Sequence, residues 1–196
     1  MIPMDCSGLL FSNGWRIRRE GRPTTTIGRL DNRRSPAYSA NMSDQHNVNP
    51  GQPAWRFYHT VQVRFADVDM FGHVNNAKYL TYIESARVAY YSHITGLQDP
   101  RQFNMTVARA TVDFIRPVFF GQTLRVYTRT GRIGNKSWTL EHELRDAHTG
   151  ELVATGSTVN VYYDYAAEQS RPIPDDIVRK IEQFEGRELR GPREAS

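Results

Sequence analysis

A chain of 196 residues with 39% hydrophobic and 11% aromatic side chains can bury a core, and its single cysteine, Cys6, excludes an internal disulfide and a cysteine-built metal cluster. No apolar run approaches the ~20 residues that span a bilayer, and no compact apolar segment follows a basic start, so neither a membrane partner nor a secretory signal is expected and the expected location is cytoplasmic. The net charge of +4 sits mostly in residues 1–50, where seven Arg face four acids; the later part has 18 Lys and Arg against 17 Asp and Glu, which argues against a nucleic-acid surface there.

Residues 1–53 are rich in Arg, Ser, Thr, Asn, Gly and Pro without a sustained apolar period, and read as a disordered basic extension. Three explanations stand for it: a targeting peptide, a nucleic-acid arm, or a leader lying ahead of a true start at Met42, the last being preferred. A folded domain is expected over residues 54–168, followed by a short helix and tail over 169–196. Residues 60–65 alternate apolar and polar, as a strand does. Residues 67–75 form turns around Gly72, and Asn75 or Asn76 can cap the helix read over 77–94, where Leu80, Ile83, Arg87, Tyr90 and Tyr91 follow a spacing of three and four. Gly96 supplies the stop. Four alternating strands follow, over 105–114, 123–132, 137–146 and 151–163, separated by turn signals at Pro117, 119–122, 131–136 and 146–150. A short helix over 172–184 and a frayed polar tail over 186–196 complete the reading. The four later strands are expected to form an antiparallel meander, with the long helix covering their apolar face. This is an α+β chain: a curved antiparallel sheet around one helix. Its open edges call for a second copy.

Between the first strand and the helix runs Asp67-Val68-Asp69-Met70-Phe71-Gly72-His73-Val74-Asn75-Asn76. A helix start offers unpaired N–H groups and partial positive charge, which polarise a carbonyl placed there. A nearby carboxylate can attack that carbonyl or activate a water. Thioester hydrolysis needs no more than this, and neither metal nor cofactor. The ordinary alternative is that Asp67 and Asp69 form turns, Asn75 caps and His73 lies on the surface. Motifs for Ser, Cys or Lys nucleophiles are absent, and the six His show no metal-ligand spacing.

The stretch Asp67 to Leu80, with Glu84-Ser85-Ala86-Arg87 after it, resembles the signature of the 4-hydroxybenzoyl-CoA thioesterase family, and is most similar to its YbgC/FadM-like acyl-CoA thioesterase branch. The resemblance covers roughly residues 58–165. It implies the hotdog fold, dimers or tetramers, and an active site at the dimer interface. It assigns Asp69 as the catalytic carboxylate and the backbone N–H groups near Asn75 and Asn76 as the oxyanion site. His73 stands where some members carry an apolar residue; it and Tyr79 are candidate substrate contacts, Tyr79 being also a natural core residue. CoA carries phosphates, so Arg129, Arg132 and Lys136, around the turn at 131–134, are candidates for its rim, with solvated loop charges as the alternative. Phe114, Phe119 and Phe120 either line an acyl pocket or pack in the core. Glu84 is expected to pair with Arg87, and Asp67 to bond loop amides. The expected partners are an acyl-CoA substrate and a second copy of the chain. Hydrolysis of carrier-protein thioesters and non-catalytic acyl-CoA binding are the competing functions.

Overall fold

The computed structural model describes residues 55–191; the expectations for residues 1–53 and for the last five residues lie outside them. The strands come in the order β1 (Tyr58–Gln62), β2 (Met105–Phe114), β3 (Thr123–Ile133), β4 (Ser137–Asp146), β5 (Leu152–Asp164) and the two-residue β6 (Gln169–Ser170). The long helix α1 (Asn76–Thr95) lies between β1 and β2, and α2 (Asp175–Glu185) follows β6. Alternation placed β2 and β4 at the observed bounds: β4 is strictly periodic, β2 is so apart from one bulge between Val107 and Arg109, and both are flanked by turn residues. The first strand ends earlier than its pattern suggested. Past Gln62 the chain leaves the sheet, and Phe65–Asp67 is a single 3-10 turn.

The sheet is antiparallel with the order β1-β3-β4-β5-β2, and β6 pairs with β5. The meander expectation therefore holds for β3, β4 and β5 and fails for β2. The eight residues from Ile115 to Gln122 do not close a tight hairpin. They carry the chain across, because β1 already occupies the free edge of β3, pairing Tyr58 with Tyr127. β2 adds instead to the far edge of β5, pairing Thr111 with Ser157. This order gives a hotdog: one curved sheet around one long helix.

Helix α1 starts where Asn75 accepts the Ala77 N–H on its side chain, and it ends at Gly96, whose φ of 77° lies in the left-handed region open to glycine. Its buried face is Tyr79, Tyr82, Ile83, Ala86, Arg87, Tyr90 and Tyr91. Even-numbered residues of β3 as far as Thr130, of β4 and several of β5 form the buried row that faces it; past the bulge between Thr130 and Arg132 the parity flips, leaving Arg132 exposed and Ile133 buried. The core has two apolar lobes. One, at the start of α1, holds Tyr79, Tyr82, Ile83, Leu124, Val126, Leu144 and Ala154. The other, at its end, holds Tyr90, Tyr91, Ile133, Trp138, Leu140, Val178 and Ile181. Between them lies a buried polar rung. His142 Nδ1 is 3.1 Å from Thr128 Oγ1, its Nε2 is 3.1 Å from Thr158 Oγ1, and Arg87 donates to Asn160 Oδ1 at 3.2 Å. The expected Glu84–Arg87 pair does not form: Arg87 turns inward to the sheet while Glu84 stays exposed.

The stretch after α2 is docked rather than frayed as far as it is described. Glu185 is buried and accepts the Thr130 N–H at 2.8 Å and the Tyr90 hydroxyl at 2.5 Å. Leu189 is buried, and its carbonyl accepts the Ile133 N–H at 3.0 Å.

At Gly156 the neighbouring strand β2 and, behind it, α1 approach so closely that no side chain fits. A Cβ there would lie 2.8 Å from the Thr111 carbonyl oxygen and 3.0 Å from Ile83 Cδ1. Gly156→Val is expected to cost ~1–3 kcal/mol or more in urea unfolding, since backbone cannot step aside as a flexible side chain can. An unchanged midpoint would mean that α1 does not press on β5.

β2 differs from the other strands. Every residue from Val107 to Thr111 is exposed, and Phe114 is about half exposed at the strand's end. A ten-residue edge strand whose middle five residues are bare on both faces invites pairing.

Candidate active site

After the 3-10 turn the chain folds back on itself. Val68 and Val74 form an antiparallel bridge. The Asp69 N–H donates to the His73 carbonyl at 3.0 Å and the Gly72 N–H to the Asp69 carbonyl at 3.1 Å. Only three residues, Met70, Phe71 and Gly72, remain at the tip, and Gly72 closes it with a φ of 85°. The base of this loop is anchored twice. Val74 donates to the Val118 carbonyl at 2.7 Å, and Asn75 donates to the Asp67 carbonyl at 2.9 Å.

This path fixes the Asp69 carboxylate. One oxygen, Oδ1, accepts the Phe71 N–H at 2.9 Å. The other, Oδ2, lies 3.7 Å from His73 Nδ1, and the side chain is 21% exposed. One oxygen is therefore spent on holding the rotamer, while the second accepts no hydrogen bond among the described residues. His73 is partly exposed; its Nδ1 is also 3.4 Å from the Val74 carbonyl oxygen, and its ring lies nearly parallel to Phe71.

The helix start is less open than the two-Asn pattern suggested. The Asn75 N–H is committed to Asp67. The Ala77 N–H goes to Asn75 Oδ1 and the Lys78 N–H to the Asn75 carbonyl. Asn76 is exposed and its N–H makes no hydrogen bond among the described residues. Of the pair, Asn75 thus shapes the helix start and Asn76 presents the donor. An oxyanion there would also meet the positive end of a twenty-residue helix.

Tyr79 lies in the core at 2% exposure, its ring edge-on to Phe114 at 5.0 Å. Phe114, Phe119 and Phe120 are not core residues. They stand 48%, 50% and 62% exposed, and Phe120 meets the still barer Phe65 ring at 6.0 Å. Met70 and Phe71, at the tip of the Asp69 loop, are more exposed still. Such a concentration of uncovered apolar side chains marks a surface that a ligand or another chain covers.

The three basic residues do not gather at this loop within one protomer. Arg129 lies on the outer face of β3, bonded to Glu141 at 2.8 Å, with its guanidinium 4.3 Å from the centre of the Trp55 ring. Arg132 and Lys136 flank the β3–β4 turn, beside the lobe that packs on the end of α1. The helix separates them from Asp69 by its own length, ~30 Å at 1.5 Å per residue.

Asp67 does more than bond a loop amide. It is buried and holds Arg64 at 3.0 to 3.2 Å through three bonds, one to the backbone N–H and two to the guanidinium. The Arg64 guanidinium holds its carboxyl well below the usual range, at about 2.

The sequence model of the thioesterase-like superfamily matches residues 63–181. The long-chain acyl-CoA thioesterase FadM of Escherichia coli is 24% identical over 126 residues, which are 63% of this chain and 96% of FadM. A 1,4-dihydroxy-2-naphthoyl-CoA hydrolase of Nostoc punctiforme is 29% identical over 147 residues, 70% of this chain and 97% of that one. Among solved structures, a thioesterase of Thermus thermophilus in complex with coenzyme A and Zn superposes with a TM-score of 0.60 at 36% identity, covering 67% of this chain and 96% of its own.

Proposed function

The chain belongs to the thioesterase-like superfamily and is a thioester hydrolase of the hotdog fold, and we propose that it cleaves an acyl-CoA to the free acid and CoA through the Asp69 carboxylate. One observation carries this reading: Asp69 has one oxygen held and one available, in the same closed loop that leads to an uncommitted helix-start N–H at Asn76. In the proposed reaction the available oxygen either attacks the thioester carbon or takes a proton from a water that does. Charge then moves to the carbonyl oxygen, where the Asn76 N–H receives it. Collapse breaks the C–S bond, and the CoA thiolate leaves and takes up a proton. Along the anhydride route, water finally frees Asp69. Relatives whose names specify CoA thioesters support CoA over a carrier protein as the thiol.

The active unit in this reading is a dimer. In one chain the Asp69 loop lies open, ringed by Phe65, Met70, Phe71, Phe119 and Phe120, and β2 has a free edge. A second copy would cover both. Arg132 and Lys136 serve the CoA phosphates in this scheme only as residues of that second copy.

No helix among the described residues is long and apolar enough to cross a membrane. The test is a thiol-release assay on short, long and aromatic acyl-CoAs, with matched carrier-protein thioesters beside them. Release of one thiol per acid formed, faster from CoA, is the expected result. Tight acyl-CoA binding with no thiol released would instead make the chain a binding module.

A further inference from the structure

The loop carrying Asp69 has little sheet to hold it. Apart from the single Val68–Val74 bridge it lies outside the strands, yet it must place a carboxylate and a helix-start amide against the same thioester. Within it, one buried side chain touches the chain on both sides. Asp67 Oδ2 accepts the Arg64 N–H at 3.0 Å and Arg64 Nε at 3.2 Å; Oδ1 accepts Arg64 Nη2 at 3.1 Å. These bonds tie Asp67 to the exit of β1. The same Oδ1 lies 3.7 Å from Lys78 Nζ, in the first turn of α1. Its backbone carbonyl takes the Asn75 N–H, so this residue also joins the two ends of the loop, beside the Val68–Val74 bridge.

We propose that Asp67 is a positioning residue for the hydrolysis, a clamp that sets the distance between the Asp69 carboxylate and the Asn76 N–H. The proposal rests on the assignment of those two groups made above. Asp67 itself touches no substrate: its side chain is fully covered, with 0% exposure.

The Arg64 side chain is 67% exposed and that of Lys78 35%, so solvent screens the cationic side of both pairs and tempers the stability that the covered carboxylate contributes. Placement is another matter, because rate responds to shifts of an ångström that scarcely alter folding. The Tyr82 hydroxyl, further along α1, is buried beside the clamp with no hydrogen bond of ordinary geometry among the described residues. Burial first, and then the neighbouring Asp67 carboxylate, raise its pKa, so it stays a neutral phenol against the clamp.

The experiment uses the full chain and its Asp67→Asn, Lys78→Met and doubly substituted variants. Steady-state hydrolysis is measured on the acyl-CoA turned over best, with amide hydrogen–deuterium exchange over residues 68–78 as a second readout. Asp67→Asn is expected to lower kcat roughly tenfold with KM held within about twofold, since binding surfaces are untouched while alignment is lost. Exchange should quicken in 68–78 and not in β4. The double variant should be no slower than Asp67→Asn alone, because both substitutions open one clamp. The proposal is overturned by an unchanged kcat, by a matching rise in KM, or by faster exchange spread equally over β4. A parent chain that releases no thiol at all sinks the hydrolase chemistry at Asp69; the loop exchange still judges the clamp.

Discussion

Asp69→Asn should lower kcat by at least ~10²-fold, the scale on which a positioned acid–base or nucleophilic group contributes. The swap is close to isosteric. An Asn carbonyl oxygen can still accept the Phe71 N–H that Asp69 Oδ1 accepts at 2.9 Å, so the loop tip keeps its shape. Gly72 still provides the left-handed closure, and the Val68–Val74 bridge is untouched. What disappears is the negative charge on the second oxygen, beside His73, and with it the ability to attack a carbonyl or hold a proton. KM should move little, since no acyl or CoA contact is removed, and thermal unfolding should coincide with that of the parent. Asp69→Ala separates the roles further: it loses the turn bond as well as the charge, so it should be both inactive and less stable by ~1 kcal/mol. A variant Asp69→Asn that keeps a tenth or more of the parent rate moves the chemistry to another group.

The local elements were legible because each rests on chemistry confined to a few residues. Asn75 caps by reaching the second N–H after it, and Gly96 stops the helix because its φ suits glycine, so both ends of α1 can be read from short windows. Strand pairing cannot, since alternation says which face a side chain takes and not which neighbour lies alongside. β2 and β3 are consecutive, yet β2 crosses to β5 because β1, which precedes α1, takes the edge that a meander would need. Arg129 shows the reverse. Its parity was available: it alternates with Leu124, Val126 and Thr128, which face the helix, so it had to point outward, where it meets Glu141 and Trp55. Asp67 stayed hidden because its partners are told apart only in three dimensions. A turn-forming Asp and a clamp between Arg64 and Lys78 have the same sequence. The Asn75 and Asn76 amides, alike in the motif, part company for the same reason, one being spent on Asp67 and the other left free.

His142 carries the second large expectation, in stability rather than rate. Its parity with Trp138, Leu140 and Leu144 on β4 put it on the inward face, and it is 1% exposed there. Among the described residues, its ring nitrogens bond the Thr128 and Thr158 hydroxyls. Burial, and secondarily the Arg87 charge across the rung, push its pKa from 6.5 down to about 3. The sign follows directly. The unfolded chain binds a proton at His142 below pH 6.5, while the folded chain resists it until about pH 3, so acid favours unfolding through this window. By that linkage His142 alone should cost the folded chain roughly 3 kcal/mol at about pH 4 relative to neutral pH, with an imidazolium held off by the fold as the cause. Asp67 works in the same direction but lower, since its depressed carboxyl contributes stability that is lost as the pH falls from the ordinary carboxylate range towards about 2. The interval from about pH 6.5 to about pH 4 therefore isolates His142 from that carboxylate. Urea unfolding of the parent and of His142→Leu across this interval makes the comparison. The variant is expected to start from a different stability at neutral pH, because two hydroxyls lose a partner, but its curve should be flatter by about the His142 contribution, keeping the acid slope of His59, whose pKa burial also lowers. Parallel curves would mean that protonated His142 is accommodated between α1 and the sheet, and that the polar rung is wet rather than sealed.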